Sequence, residues 1–184
     1  MLESLSNSNT RYKKTFGSWG ENCLDEWVQS QGWIVYRKNL KMRRGEIDRV
    51  YKCIKIKKQQ IEKQCNLKKV TNFCIAEIKT IYCPNKERFF SFFTEVGLSG
   101  LLKRNQILNL YKYAEILNSK KVNLKQISAN TNAIEFLNIY IRFFIVLKMY
   151  EGYAKETFFK LQKSYKICLQ TKDILILSFI PECT

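Results

Sequence analysis

The sequence of 184 residues contains no histidine. This absence excludes histidine general bases, Ser-His and Cys-His nucleophile systems, and zinc sites that depend on histidine ligands. Acidic residues are also scarce, since 16 Asp and Glu stand against 32 Lys and Arg. Hydrolytic chemistry would therefore depend on carboxylates, lysines and a metal ion bound through oxygen, and Mg²⁺ or Mn²⁺ suits such ligands.

Motifs for thiol chemistry, export and membrane insertion are missing as well. None of the seven cysteines has a C-x-x-C partner, which excludes a zinc ribbon or dithiol redox motif. The first residues lack the apolar core of a signal peptide. The longest apolar run, 139–147, contains Arg142 and is too short to span a bilayer. We therefore expect a cytoplasmic protein with reduced thiols and no membrane partner, in which Cys53 and Cys74 are buried.

The net charge of +16 points to an anionic partner. Residues 37–69 hold thirteen basic and three acidic residues, so this stretch carries much of the excess charge. Nucleic acid is the partner that such a concentration favours, and an anionic membrane surface is the alternative. The predicted phosphate-contacting residues are Arg43, Arg44, Lys55 and Lys57.

Hydrophobic periodicity predicts an α/β protein. The predicted elements are, in order, a helix over 18–31, strands over 33–37, 46–57 and 70–80, a helix over 99–118, a strand over 139–149, a helix over 153–164 and a strand over 173–180. This order predicts one domain with a mixed central sheet flanked by helices. We expect a flexible basic arm over 1–15, a core domain over 16–149 and a packed C-terminal extension over 150–184. Residues 58–70 would form a charged hairpin extension or a loop.

Two short motifs on the predicted strands bring carboxylates together. Glu77 and Lys79 are two residues apart on a strand, so they share a face and could hold a metal ion and its water. Asp48, at the start of the preceding antiparallel strand, could share that ion. Each motif has a simpler interpretation. Glu77 and Lys79 could form an exposed ion pair, and the segment around Gly45 could be a hairpin turn.

Two further candidates lie on the predicted helices. Glu21 falls in the first turn of the first helix, where it could contribute to a metal site or could only favour the positive end of the helix. Lys103 lies four residues before Ile107 and so continues the apolar stripe of the second helix, formed with Leu110, Ala114 and Leu117. It could face the site or could be a lysine that reaches to solvent from the margin of the core.

The motifs G-x-x-G-E, G-E-I-D, apolar-E-I-K-T and K-x-x-Q-I occur in an order that resembles the YraN-like family, over roughly Phe16 to Leu147. These small bacterial proteins are related to the PD-(D/E)xK endonucleases and to archaeal Holliday-junction resolvases. The resemblance implies a restriction-endonuclease-like domain with the order α-β-β-β-α-β, followed here by an additional helix and strand.

The resemblance also implies roles for individual residues. Asp48 would be the motif aspartate, Glu77 and Lys79 the E-x-K pair, and Glu21 the acid that completes the metal site. Lys103 and Gln106 would line the site from the second helix. Glu46 also matches the family pattern, and its role is left open. Two features depart from the pattern: a Lys-rich insertion between Asp48 and Glu77, and Phe144 where the family has an acid.

The sequence therefore predicts a nuclease that uses Mg²⁺ or Mn²⁺ to hydrolyse phosphodiester bonds of DNA, with branched or damaged DNA among its candidate substrates. Resolvase-like cutting of two strands would require a homodimer. Two alternatives stay open. One is a non-catalytic nucleic-acid-binding module on the same fold, and the other is an accessory protein whose C-terminal segment docks on a partner.

Overall fold

The chain folds as an α/β protein. The computed structural model describes residues 3–43, 45–61, 64–85, 87–88, 101–127, 134–149 and 166–180. The elements in these ranges are α1 (Glu3–Ser30), β1 (Ile34–Met42), β2 (Gly45–Ile61), β3 (Gln64–Cys83), α2 (Arg104–Ile127), β4 (Ile134–Met149), β5 (Lys166–Gln170) and β6 (Ile174–Phe179). The six strands form one sheet in the order β1-β2-β3-β4-β6-β5. The sheet is mostly antiparallel, because β1–β2, β2–β3, β4–β6 and β5–β6 all pair in that sense.

The chain divides into two compact units. The first unit comprises Met1–Val28, Ile78–Leu102 and Phe143–Phe179. The second unit comprises Gln29–Glu77, Lys103–Arg142 and Ile180–Thr184.

In the first unit, α1 approaches the end of β3 very closely at Gly20. The Thr80 hydroxyl donates a hydrogen bond of 3.4 Å to the carbonyl of Gly17. A Cβ atom on Gly20 would lie 2.6 Å from Cγ2 and 2.8 Å from Cβ of Thr80, whereas one on Gly17 would meet nothing within 4 Å. Gly20 is therefore explained by close packing of a helix against a strand.

The helix itself is longer than predicted. It begins at Glu3, well before the predicted start near Ser18, and it ends at Ser30 as predicted. Gly32, with φ of +80°, follows the end, and its N–H donates to the carbonyl of Gln29. This positive φ is the reason that a glycine stands there.

In the C-terminal part of the first unit, β6 pairs with the second half of β4, and β5 pairs with β6. The register runs from Phe143↔Phe179 to Lys148↔Ile174. The buried side chains of β6 include Leu175, Ile176 and Leu177. The predicted last strand is confirmed by β6, whereas β5 was not predicted. The predicted helix over 153–164 lies outside the described residues.

In the second unit, β1 and β2 form a tight hairpin. Met42 pairs with Gly45, whose φ of +117° is one that L-residues rarely adopt. The hairpin-turn interpretation of this glycine is therefore confirmed, and β2 begins with the G-E-I-D motif as predicted. The β2–β3 ladder then continues to Ile61↔Gln64. Of the two predictions for 58–70, the hairpin extension is confirmed and the loop is wrong.

The core of the second unit lies between α2 and the strands. Leu110, Ala114 and Leu117 of α2 pack with Val50 of β2 and Ile75 of β3. These three helical residues belong to the predicted apolar stripe, which is confirmed for them. The helix continues to Ile127, beyond the predicted end at 118.

Two predictions about the rest of the chain can be compared with the structure. None of the helices in the described ranges has the length and apolar character needed to cross a membrane. Cys53 and Cys74 are free and buried, as predicted.

Candidate active site

Glu77 is the central residue of the candidate site. Its side chain is only 1% exposed, in a stretch of β3 whose residues 71–78 are all buried. Its Oε1 accepts a short hydrogen bond from Nε2 of Gln106 on α2. A buried carboxylate is costly unless donors or cations stabilise it. The interpretation of Glu77 as half of an exposed ion pair is therefore wrong.

Gln106 is held in place by the start of its own helix. Its Oε1 accepts a hydrogen bond of 3.0 Å from the backbone N–H of Lys103, the residue before the first turn of α2. This is one half of a capping box, in which a side chain three residues into the helix satisfies a free N–H group. Because the carbonyl oxygen of the amide is used for the cap, the NH₂ group is the part that points at Glu77.

Asp48 lies beside Glu77 on the neighbouring strand. The β2–β3 register is constant from Ile61↔Gln64 to Arg49↔Ala76. Continued by one residue, it places Asp48 opposite Glu77. Asp48 is half-buried. Two carboxylates on adjacent strands repel each other unless a cation or hydrogen-bond donors compensate their charge.

Arg49 is a buried cation that the sequence reasoning missed. It is 3% exposed, and its Nη1 donates to the carbonyl of Asp48 at 2.8 Å and to Oδ1 of Asn39 at 3.2 Å. Asn39 has a left-handed φ of 47°. Ile47 and Val50, on either side of Asp48 and Arg49, both belong to the core cluster with α2. Arg49 therefore fixes the backbone of the residue that carries the candidate ligand.

Two predicted supporting residues lie at the surface of the second unit. Glu46 is exposed. Lys103 is also exposed and precedes α2, which begins at Arg104. The prediction that Lys103 continues the buried stripe is wrong, because the capping interaction starts the helix one residue later.

Glu21 and Lys79 belong to the first unit. Both are half-buried, Glu21 on α1 and Lys79 on β3. Because α1 begins at Glu3, Glu21 lies in the interior of the helix. The prediction that it occupies the first turn is wrong, and so is its explanation by the helix dipole. Their roles at the site stay predictions.

The predicted nucleic-acid-binding residues are located only in part. Arg43, at the β1–β2 turn, and Lys55, on β2, are exposed. Arg44 lies outside the described residues. Lys57 pairs with Lys68 in the β2–β3 ladder, and its side chain lies outside the described part of the structure.

The donor set suits a hard divalent cation. Among the described residues, no group of three His, Cys, Asp or Glu side chains is arranged to hold a metal ion. Mg²⁺, however, commonly takes one or two carboxylates, and water and phosphate oxygens complete its shell. Asp48 and Glu77 provide two such carboxylates on adjacent strands, so the residues fit Mg²⁺ or Mn²⁺.

Comparison with family models, curated proteins and solved structures found no match to this chain.

Proposed function

We propose that this protein is a metal-dependent nuclease that hydrolyses phosphodiester bonds of DNA. The observation that carries the proposal is the buried Glu77 carboxylate, which accepts a hydrogen bond from Gln106. The β2–β3 register, continued by one residue, places Asp48 opposite it. The restriction-endonuclease-like fold, the preference for branched DNA and the homodimer belong to the same proposal.

In this mechanism Asp48 and Glu77 would hold Mg²⁺ or Mn²⁺. The chemistry that such an ion would supply is a more acidic bound water and compensation of the charge that develops on the phosphate. Gln106 keeps Oε1 of Glu77 in a fixed direction, and its own orientation is set by the capping bond to Lys103. Arg49 holds the backbone at Asp48. These contacts preorganise the ligands before substrate binds, which is a main source of catalytic power in such sites.

The resemblance assigns Lys79 the task of orienting the attacking water and Glu21 the role of a third acid. Lys79→Gln and Glu21→Gln test these assignments separately from the Asp48 and Glu77 pair. The exposed Lys103 at the start of α2 could contact the phosphate backbone of the DNA. Such a contact orients the DNA on the protein but does not distinguish base sequences.

The test is a cleavage assay with labelled four-way junction, duplex and single-stranded DNA in Mn²⁺. Wild type is compared with Asp48→Asn, Glu77→Gln and the control Glu115→Gln, which removes an exposed carboxylate of α2. We expect cleavage by wild type and by the control, and its loss in the other two. Cleavage that survives in Asp48→Asn and Glu77→Gln would refute the assignment.

A second candidate is a nucleic-acid-binding module without cleavage. It is favoured by the exposed basic side chains at the start of the second unit: Arg37, Lys38, Lys41 and Arg43. This function predicts tight, salt-dependent DNA binding that is unaffected by Asp48→Asn, with no cleavage by any variant. The same assay, run beside a binding measurement, therefore separates the two candidates.

A further inference from the structure

A cleft opens in the second unit between the β1–β2 turn and the first turns of α2. Its volume is about 270 Å³, and its lining residues are Met42, Arg43, Asn105, Leu108, Asn109 and Lys112. The α2 residues have the spacing of one helix face, because 105, 108, 109 and 112 follow the i, i+3, i+4, i+7 pattern. One helix face and one turn therefore build the cleft.

Close packing at the turn gives the cleft a firm inner wall. Asn109 is 6% exposed, and its Nδ2 lies 3.2 Å from the position that a Cβ atom on Gly45 would take. The positive φ of Gly45 sets the direction in which the turn presents Met42 and Arg43. The glycine that opens the G-E-I-D motif therefore lies directly beside Asn109, one of the lining residues.

The lining chemistry suits a small anion that carries an apolar portion. Arg43 and Lys112 provide two exposed cations from two different elements. Asn105 adds an exposed amide, while Met42 and Leu108 provide apolar surface. None of these described lining residues is acidic, so the charges are not neutralised within the lining set.

In the sequence, the residues that line the cleft are close to the two segments that carry Gln106 and Asp48. Asn105 directly precedes Gln106, which holds Glu77. Met42 and Arg43 lead into the strand that carries Asp48. The turn and the helix that build the cleft thus lead directly into the elements that carry Asp48 and Gln106, so a DNA strand bound at Asp48 and Glu77 could extend to this cleft.

We propose that the cleft is a subsite for one nucleotide of the DNA strand, with its phosphate between Arg43 and Lys112 and its sugar against Met42 and Leu108. The cleft volume of about 270 Å³ lies near the lower limit of about 300 Å³ for ligand pockets, so the cleft suits a small ligand group. The position beside the cleaved bond rests on the proposed nuclease function. Binding of a nucleotide by these residues does not require cleavage.

The experiment measures DNA binding by fluorescence anisotropy over a series of NaCl concentrations, in EDTA so that cleavage cannot occur. The variants are Arg43→Gln and Lys112→Gln, and the control is Lys172→Gln, an exposed lysine of the β5–β6 turn. Each lost phosphate contact reduces the slope of log K against log [NaCl] by about 0.9 for duplex or about 0.7 for single-stranded DNA. We expect that reduction in both variants and an unchanged slope in the control.

Leu108→Ala tests the apolar half of the proposal. Leu108 is 38% exposed, so its truncation leaves the fold intact, as an unchanged melting temperature will show. We expect weaker DNA binding with an unchanged salt slope, because no charge is removed. Titration with a deoxynucleoside monophosphate and with inorganic phosphate then separates a nucleotide site from a phosphate site.

Several results would overturn the proposal. Unchanged slopes in Arg43→Gln and Lys112→Gln would show that the cleft does not contact phosphate. Equal affinity for inorganic phosphate and the nucleotide would eliminate the sugar contact. These outcomes are independent of the nuclease assignment, which fails instead when Asp48→Asn retains cleavage in the separate assay.

Discussion

The close approach of α1 to β3 at Gly20 gives a prediction that two matched substitutions can test. Gly20→Ala would place a Cβ atom 2.8 Å from Cβ of Thr80, whereas ordinary contact begins at 3.4 Å. The helix and the strand would have to separate by about 0.6 Å there. Rotation of the Thr80 side chain cannot relieve this contact, because the Cβ position is fixed by the backbone.

The expected magnitude follows from two opposing effects. Alanine is favoured over glycine in a helix interior by about 1 kcal/mol. Overpacking of a close contact costs about 1–3 kcal/mol. Gly17→Ala introduces no contact within 4 Å, so it should raise the free energy of unfolding by about 1 kcal/mol. Gly20→Ala should be less stable than Gly17→Ala by about 1–3 kcal/mol.

Urea unfolding followed by circular dichroism measures both variants against wild type. Since the helix-propensity gain is the same at the two positions, the difference between the variants isolates the Thr80 contact. Equal stabilisation by both substitutions would refute the close approach of α1 and β3.

Two further predictions concern Gln106 and Cys83. Gln106→Glu keeps an acceptor for the Lys103 N–H but sets a carboxylate against Glu77, so its stability relative to wild type should fall from pH 5 to pH 7. In Gln106→Ala, the free energy of unfolding measured in urea should instead fall by about 1–3 kcal/mol at both pH values. If the stabilities of the Glu and Ala variants changed in the same way with pH, that result would argue against the contact between Gln106 and Glu77. Burial raises the pKa of the Cys83 thiol to about 11, against the opposing charge of Arg88. The buried neutral thiol therefore contributes to stability below pH 9, and this contribution is lost as the pH rises through about 11. Alkylation of the native protein at pH 8, followed by mass spectrometry, should show that Cys83 reacts about a hundredfold more slowly than an ordinary thiol. Labelling at the ordinary rate would contradict this.

The sequence predicts best where a local pattern and the tertiary packing agree. The spacing of Leu110, Ala114 and Leu117 specifies the buried face of α2, and these residues form the core with β2 and β3. The G-E-I-D segment predicts a turn followed by a strand, and Gly45 has the positive φ that the turn requires.

The failures have physical causes that local patterns do not contain. The first helix was predicted to begin near Ser18, but it begins at Glu3 and passes through Gly20, which accommodates Thr80 from a distant strand. Lys103 matched the apolar stripe by spacing, but the capping bond of Gln106 leaves it exposed before the helix. Arg49 was missed because no sequence pattern shows that a strand arginine is buried against Asn39.

The sequence predicts which residues form the candidate site better than it predicts how their side chains are arranged. The resemblance selected Gln106, and the structure shows its contact with Glu77. The cleft residues Asn105, Asn109 and Lys112 were missed, although their spacing marks one face of α2 beside the apolar stripe. Their spacing therefore indicates a polar face of α2 that could bind a ligand.

The central claim is that Asp48 and Glu77 together hold a divalent metal ion. Isothermal titration calorimetry with Mn²⁺ tests it without a substrate, on wild type, Asp48→Asn, Glu77→Gln and the control Glu115→Gln. We predict Mn²⁺ binding by wild type and the control, and its loss in each of the other two variants. Full Mn²⁺ affinity in Asp48→Asn and Glu77→Gln would contradict the account.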